Sequence, residues 1–393
     1  MVRENPKTGE TSRRRVLAAI TTGAVGIGVG TASAATDRHV VGVDPGTDLG
    51  PVREAATSVA HEFDFGSVGR AVAGSFPVDA LDSLREAPFV RYVETDGDVG
   101  TLGHGRDEPL CDPHEQQCMP WGVDRIDADD AHHDGDTGSD SSVAVVDTGI
   151  DPTHEDLDVT GGKAIVTCSG ACPAPWADDN GHGTHVAGVA GATNNDVGVV
   201  GVAPDADLSA VKVLESDGSG SASDVAAGIE WAADQDIDAI NLSIRTDQDS
   251  QVLRDACAYA DASGSLVVAA AGDNYGGPVG YPGAYDTTVA VSATDRNDWL
   301  MACSSTGPEV DLAAPGEEIL STVPRDEYRR DDCTSPATPH VTGAAALTTS
   351  YGLSNDEARS VLFETAEDIG LWEEEQGEGL VDAYAAVRAA RQY

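Results

Sequence analysis

Lysine is nearly missing from this chain. Its 393 residues hold 23 Lys and Arg against 68 Asp and Glu, and the lysines are Lys7, Lys163 and Lys212. The formal charge is −45. Such a surface repels phosphates, which argues against a nucleic-acid partner. It also repels itself in dilute buffer. At molar salt the Debye length falls to about 3 Å and that repulsion is screened. Acidic excess with scarce lysine therefore predicts a protein adapted to high salt.

Other absences narrow the field further. The seven cysteines contain no C-x-x-C pair, which argues against a zinc site. The close pairs Cys111/Cys118 and Cys168/Cys172 suit disulfides in an exported protein, with the connectivity left open. An odd count leaves one thiol free unless a second chain joins in. No internal repeat is present. The longest weakly apolar run, Val16 to Ala32, is short and rich in glycine, so no permanent membrane anchor is expected. That run follows Ser12-Arg13-Arg14-Arg15-Val16-Leu17, which resembles a twin-arginine motif, and precedes Ala32-Ser33-Ala34, an A-x-A cleavage site. Residues 1–34 read as an export signal, and the protein as secreted.

Residues 36–99 read as a small α+β unit. His39–Val43, Val68–Phe76 and Phe89–Val93 suggest strands. Leu49–Phe63 suggests a helix, and Pro77 opens a second, with Val78, Leu81 and Leu84 at helical spacing. Residues 100–116 are polar, carry Gly and Pro, and read as a linker. From residue 117 to 393 short buried β runs alternate with helices. Val143–Val146, Leu208–Val213, Ile237–Leu242, Leu266–Ala270 and Val289–Val291 are the strands. Val225, Ile229, Ala232 and Ala233 mark one helix face. The alternation predicts an α/β fold with a mainly parallel sheet covered on both faces. Ligands of such sheets sit beyond the carboxyl ends of the strands.

Three segments carry chemistry. Val143-Ala-Val-Val-Asp147-Thr-Gly ends a strand on a carboxylate. Asn180-Gly-His182-Gly-Thr-His185 opens a small-residue helix on a histidine. Thr334-Ser335-Pro-Ala-Thr-Pro339 opens another on a serine. A serine hydroxyl becomes nucleophilic only when a base takes its proton, and histidine suits that task near neutral pH. A carboxylate on the far ring nitrogen fixes the tautomer and stabilises the imidazolium. A nucleophile at a helix N-terminus has N–H groups near the forming oxyanion. A zinc reading of His182 and His185 fails, because H-E-x-x-H spaces its histidines four apart and Gly183 stands where its Glu would be.

In the order Asp147, His182, Ser335, with these flanks, the segments resemble the subtilisin-like serine proteases from about Gln117 to Arg388. The acidic composition resembles the extracellular members of that family from halophilic archaea. The resemblance implies a three-layer sandwich and hydrolysis of peptide bonds through an acyl-enzyme on Ser335. Residues 36–99 would be a ferredoxin-like propeptide that inhibits the enzyme within the chain, and the linker would be cut on maturation. His185 and His340 would be structural. Structural Ca²⁺ is implied on Gln117, Asp156, Thr193, Asn195, Val197 and Val199. Ser243, Ile244 and Arg245 would line the substrate strand, polypeptides being the substrates. A monomer is expected.

The chain departs from the family pattern in four places. Asp273 stands where an asparagine donates to the oxyanion, and an ionised carboxylate cannot donate. A protonated Asp273, or Asn274 after a shift of one residue, could. Cys333 replaces the glycine before Thr334-Ser335, which would strain it at positive φ and put its thiol near the nucleophile. Pro336 replaces a methionine and biases Ser335 away from helical backbone. Arg245 and Thr246 replace two glycines, so Arg245 would either narrow the pocket for the residue before the cut or favour acidic side chains there. These departures leave open a rival reading, a catalytically impaired homologue acting as a peptide-binding or regulatory protein.

Overall fold

The computed structural model describes residues 38–101, 112–114 and 116–393. The export signal, most of the linker and Cys111 lie outside those residues.

The first described strands are β1 (Arg38–Val43), β2 (Ser58–Asp64), β3 (Arg70–Ser75) and β4 (Val90–Thr95). They form an antiparallel sheet in the order β2-β3-β1-β4, with helices at Gly50–Ala55 and Val78–Arg85 in β-α-β-β-α-β succession. This is the expected ferredoxin-like arrangement. One expectation fails inside it. The helix predicted over Leu49–Phe63 stops at Ala55, and Ser58–Asp64 is the edge strand β2. The chain turns extended at Ala56. Val59, His61 and Phe63 then alternate at a spacing of two, and Phe63 is buried. That period belongs to a strand, and it wins over the acidic and apolar faces that suggested a helix.

A short strand, β5 (Asp98–Thr101), follows, and then the large sheet. Its strands are β6 (Ser142–Asp147), β7 (Val159–Ala164), β8 (Asp207–Lys212), β10 (Ala239–Leu242), β12 (Leu266–Ala270), β13 (Thr288–Thr294) and β14 (Leu312–Pro315); β9 (Ser219–Ser221) and β11 (Ile244–Arg245) lie outside it. The order is β14-β13-β12-β10-β6-β8-β7, and each neighbouring pair is parallel. A hairpin of β15 (Ile319–Val323) and β16 (Glu327–Asp331) completes the strands among the described residues.

Alternation along each strand explains the three layers. Val143 and Val145 of β6 join the core beneath helices His182–Gly191 and Thr334–Thr349. Ala144 and Val146 join the opposite core beneath helices Ala222–Asp234 and Gln251–Ser263. Both faces of the sheet are buried, so its strands read as continuous apolar runs.

The small sheet rests on that second helical layer. Val40, Phe63, Ala71 and Ala73 share its core. Two carboxylates at the end of β4 reach the helix starts. Glu94 accepts from the N–H groups of Gln251 and Val252, at 2.7 and 2.9 Å. Asp96 accepts from Ser223 N and Oγ, at 2.8 and 2.6 Å. Each satisfies N–H groups that a helix start leaves without partners and meets the positive end of the helix dipole. Arg91 pairs with the buried Asp255 on the same helix that Glu94 caps.

Candidate active site

The carboxyl edge of the large sheet gathers the three segments singled out above. Asp147 is the last residue of β6 and is fully buried. His182 is the first residue of its helix, and its Nδ1 lies 2.8 and 2.9 Å from the two Asp147 carboxylate oxygens. The approach is possible because residue 183 is glycine. A Cβ there would stand 2.2 Å from the Gly149 carbonyl oxygen and 3.2 Å from Asp147. Ser335 is the second residue of the helix Thr334–Thr349, and its Oγ donates to the Ser243 carbonyl at 3.2 Å.

The proline-rich start of that helix has a local logic. Ser335 is helical despite the bias from Pro336, because the first turn needs no intrahelical N–H and proline fits there. Pro339 lacks the N–H that would bond the Ser335 carbonyl. The freed carbonyl instead accepts from Ser243 Oγ at 2.8 Å. The turn that bears Ser335 and the segment at Ser243 are thereby tied by two hydrogen bonds.

Cys333 has φ of 83°, in the left-handed region that the family glycine would occupy without strain. The expectation of a thiol beside the nucleophile is corrected, because Cys333 is bonded to Cys303. Cys168 and Cys172 are bonded as expected. Cys118 is disulfide-bonded too, and its expected partner Cys111 lies outside the described residues. Cys257 is the free cysteine among the described residues, buried, its thiol pushed up to about 12 by desolvation.

Asp273 follows β12 by way of Ala271 and Gly272. One of its carboxylate oxygens accepts from Thr334 Oγ1 at 2.6 Å and from Thr334 N at 3.2 Å, next to Ser335. Asn274 lies in the following turn. Its carbonyl accepts from Gly277 N, and its amide sits so close to Gly277 that a Cβ there would be 2.5 Å away.

Sequence reasoning missed two supports of the Asp147–His182 pair. Asp178 accepts from Thr148 Oγ1, Thr184 N and Oγ1, and the N–H groups of Asn180 and Gly181, which locks the start of the His182 helix. Lys212 faces Asp147 across β6 and β8 and is fully buried. Its ammonium donates to Asp179 and to the Thr148 and Leu214 carbonyls, at 2.7, 2.7 and 2.8 Å. A lysine inside an apolar strand run, in a chain with three lysines, was a signal available from the sequence.

Ile244 and Arg245 form β11, which pairs antiparallel with β5, Ile244 opposite Thr101 and Arg245 opposite Gly100. On its other side β5 pairs with β9. A segment from the amino-terminal part of the chain thus lies as the middle strand between β11 and β9, and β11 directly follows Ser243.

The residues assigned to Ca²⁺ also come together. Gln117 Nε2 lies 3.0 Å from the Thr193 carbonyl and 3.4 Å from that of Val199. Asn195 Nδ2 and Val199 N reach the Asp156 carboxylate, at 3.0 and 2.7 Å, and Val197 N reaches Asn195 Oδ1 at 2.8 Å. The cluster is built of oxygen donors, carboxylate, amide and backbone carbonyl, which fit a hard divalent cation. Burial pushes the Asp156 carboxyl up to about 6, against the hydrogen bonds from Val199 and Asn195. Among the described residues the one His/Cys/Asp/Glu grouping with metal-like spacing is Asp129, Asp130 and His133, and it contains neither Asp156 nor His182 and His185.

Residues 138–380 match the subtilase family. The chain belongs to the subtilase family. By that membership it is a serine-type endopeptidase. Among curated subtilases it is similar to an alkaline protease of Alkalihalobacillus alcalophilus, 41% identical over 86% of this chain and 84% of that one. It is similar to Subtilisin Savinase of Lederbergia lenta, 45% identical over 69% of this chain and all of that one. Subtilisin E of Bacillus subtilis is 40% identical over 81% of each chain. No helix among the described residues is long and apolar enough to cross a membrane.

The remaining histidines of this subtilase site are packing elements. His185 bonds the Ile319 and Arg329 carbonyls, and His340 the Pro336 carbonyl. Burial holds both down at about 4, from 6.5. The unfolded chain takes up protons near 6.5 while the folded one stays neutral to about 4. Stability contributed by these groups is therefore present above 6.5 and lost as the pH falls through that window. Denaturant unfolding of the Ser335→Ala protein across this range, at constant salt, should show the decline. His340→Gln should make the slope shallower.

Proposed function

We propose that the protein is a secreted, salt-adapted endopeptidase working through an acyl-enzyme on Ser335. His182 takes the Ser335 proton and later delivers it to the leaving amine. Asp147 holds the ring from Nδ1 and stabilises the imidazolium. The observation that carries this reading is His182 Nδ1 within 2.9 Å of both Asp147 oxygens, at the sheet edge where a helix also opens on Ser335. The positive end of that helix favours the developing oxyanion. Asp273 has its carboxylate turned to Thr334, and in its ionised form it adds no donor. Asparagine could accept from Thr334 through Oδ1 while Nδ2 donates to the oxyanion.

Residues 36–99 are the propeptide, and β5, which runs from its last residues into the linker, is held like substrate between β11 and β9. Its pairing up to Thr101 supports an intramolecular inhibitor and a maturation cut beyond that residue. Residues 1–34 direct export by the twin-arginine route, and the mature enzyme is a monomer. Gln117, Asp156, Thr193, Asn195, Val197 and Val199 hold one structural Ca²⁺, which neutralises Asp156 and joins the start of the catalytic domain to the loop after the His182 helix. The −45 charge makes molar salt part of the folding condition.

A fluorophosphonate probe should label Ser335 in the refolded wild type and not in His182→Ala. A folded wild-type protein that takes no label would favour a peptide-binding homologue without activity. Asp273→Asn should raise kcat toward the roughly 10²-fold that one oxyanion donor is worth. Unfolding followed by circular dichroism should give a Tm that falls on chelation and falls again on dilution from molar to millimolar salt. Full stability in dilute, calcium-free buffer would contradict both assignments.

A further inference from the structure

Cys333 is the N-cap of the helix that opens on Thr334 and Ser335. Its φ of 83° and ψ of −151° lie in a region that is essentially reserved for glycine. A residue with a Cβ stays there only where its surroundings over-determine it. One restraint acts on the backbone. Cys333 N donates to the Gly316 carbonyl at 2.8 Å, and a Cβ on Gly316 would stand 2.6 Å from the Cys333 carbonyl oxygen. The other restraint is covalent, the bond from the side chain to Cys303.

Cys303 belongs to a segment that pairs with the loop after β12. Tyr275 N donates to the Cys303 carbonyl at 2.9 Å, Gly276 N to that of Ser304 at 2.8 Å, and Ser305 N to that of Gly272 at 2.7 Å. Asp273, in the same loop, accepts from Thr334 N and Oγ1. The loop and the turn before Ser335 are thus linked twice, once by a carboxylate and once through the disulfide. The N–H groups of this helix start are the ones a developing oxyanion meets. A misplacement of about 1 Å at such a site can cost about 10²-fold in rate. Cys303 and Cys333 both line a cleft of about 270 Å³, which gives a small thiol access to their bond. Cys257 is buried elsewhere in the core and does not exchange with the pair.

We propose that the Cys303–Cys333 bond positions the catalytic turn, so that the protease reaches its full rate only when this pair is oxidised. The inference rests on Ser335 as nucleophile. In the reduced protein Cys333 relaxes from its glycine-like backbone, and Thr334 and Ser335 move with it. Closing the bond takes two protons and two electrons from the two thiols. A small-molecule disulfide accepts them and leaves as two thiols. A reducing compartment keeps the pair open, and an oxidising one, the destination of an exported protein, closes it. A disulfide that only stabilised the fold would shift the Tm and leave the kcat of the folded protein alone.

The test measures kcat and KM on one peptide in molar salt with Ca²⁺, before and after dithiothreitol. Alkylation and mass spectrometry report which cysteines have opened, and circular dichroism reports that each protein is folded. Opening Cys303–Cys333 should lower kcat about tenfold or more and leave KM within about twofold. Oxidised glutathione should bring the rate back. Cys303→Ser should show the same loss without reductant. Adding Cys333→Gly, which lets the turn keep its φ without a bond, should restore most of the lost kcat and make it indifferent to dithiothreitol. Cys168→Ser with Cys172→Ser should still respond to dithiothreitol as wild type does. A folded Cys303→Ser protein with the wild-type kcat overturns the proposal. So does a Cys303→Ser/Cys333→Gly protein that still loses kcat in dithiothreitol, a result that needs no folded single variant. Fluorophosphonate labelling separates the two levels. Labelled wild type whose kcat survives the opened bond overturns this inference alone, and folded, oxidised wild type without label overturns the nucleophile assignment beneath it.

Discussion

The contact between Asp147 and His182 is the constraint around which the rest of the molecule is arranged. It requires a strand to end on a carboxylate, a helix to start on a histidine directly above it, and a residue without Cβ between them. The parallel sheet supplies the first condition, since its strands all deliver their carboxyl ends to one edge. β6 brings Asp147 there, β10 leads to Ser243, and β12 leads to Asp273. Asp178 supplies the second condition by binding the start of the His182 helix, and Gly183 supplies the third. Lys212 closes the arrangement from below. Its ammonium is satisfied by one carboxylate and two carbonyls, which is how a fully buried charge is tolerated.

The scarce cations sit at junctions of the fold. Arg38 meets Asp96 and Asp224, and Arg91 meets Asp255, so two arginines tie the small sheet to the helical layer. Arg125 joins Asp298 and Glu367, and Arg359 joins Asp261. A chain with so large an acidic excess holds its segments together at these partly buried pairs, while most carboxylates face solvent and depend on salt for screening. Glu94 and Asp96 are exceptions among the acids, because helix starts meet them directly.

What could be read from the sequence followed the range of the interactions. The five inner strands of the large sheet were legible because strands buried on both faces write themselves as apolar runs, whereas the edge strands β7, half-exposed with two glycines, and β14, four residues ending in proline, were not. The three chemical segments were legible because each carries its own local context, a strand end or a helix start. The edge strand Ser58–Asp64 was misread, since a half-exposed strand beside a short helix shows charged and apolar residues at both periods. The partners of Cys333 and Asp273 were hidden for another reason. Cys303 lies 30 residues from Cys333, and Thr334 lies 61 from Asp273. Only the closed fold brings them together, and no local pattern announces it. The same holds for β5, whose place between β11 and β9 has no signature in its four residues.

The central claim is that the group at Ser335 hydrolyses peptide bonds, its own chain included. Mass spectrometry of the full-length protein, refolded in molar salt with Ca²⁺, tests it most directly beside a Ser335→Ala control. The account predicts that wild type yields a fragment starting between residues 102 and 116, past the end of β5, while the control stays intact. Two folded proteins that both remain full length would contradict it.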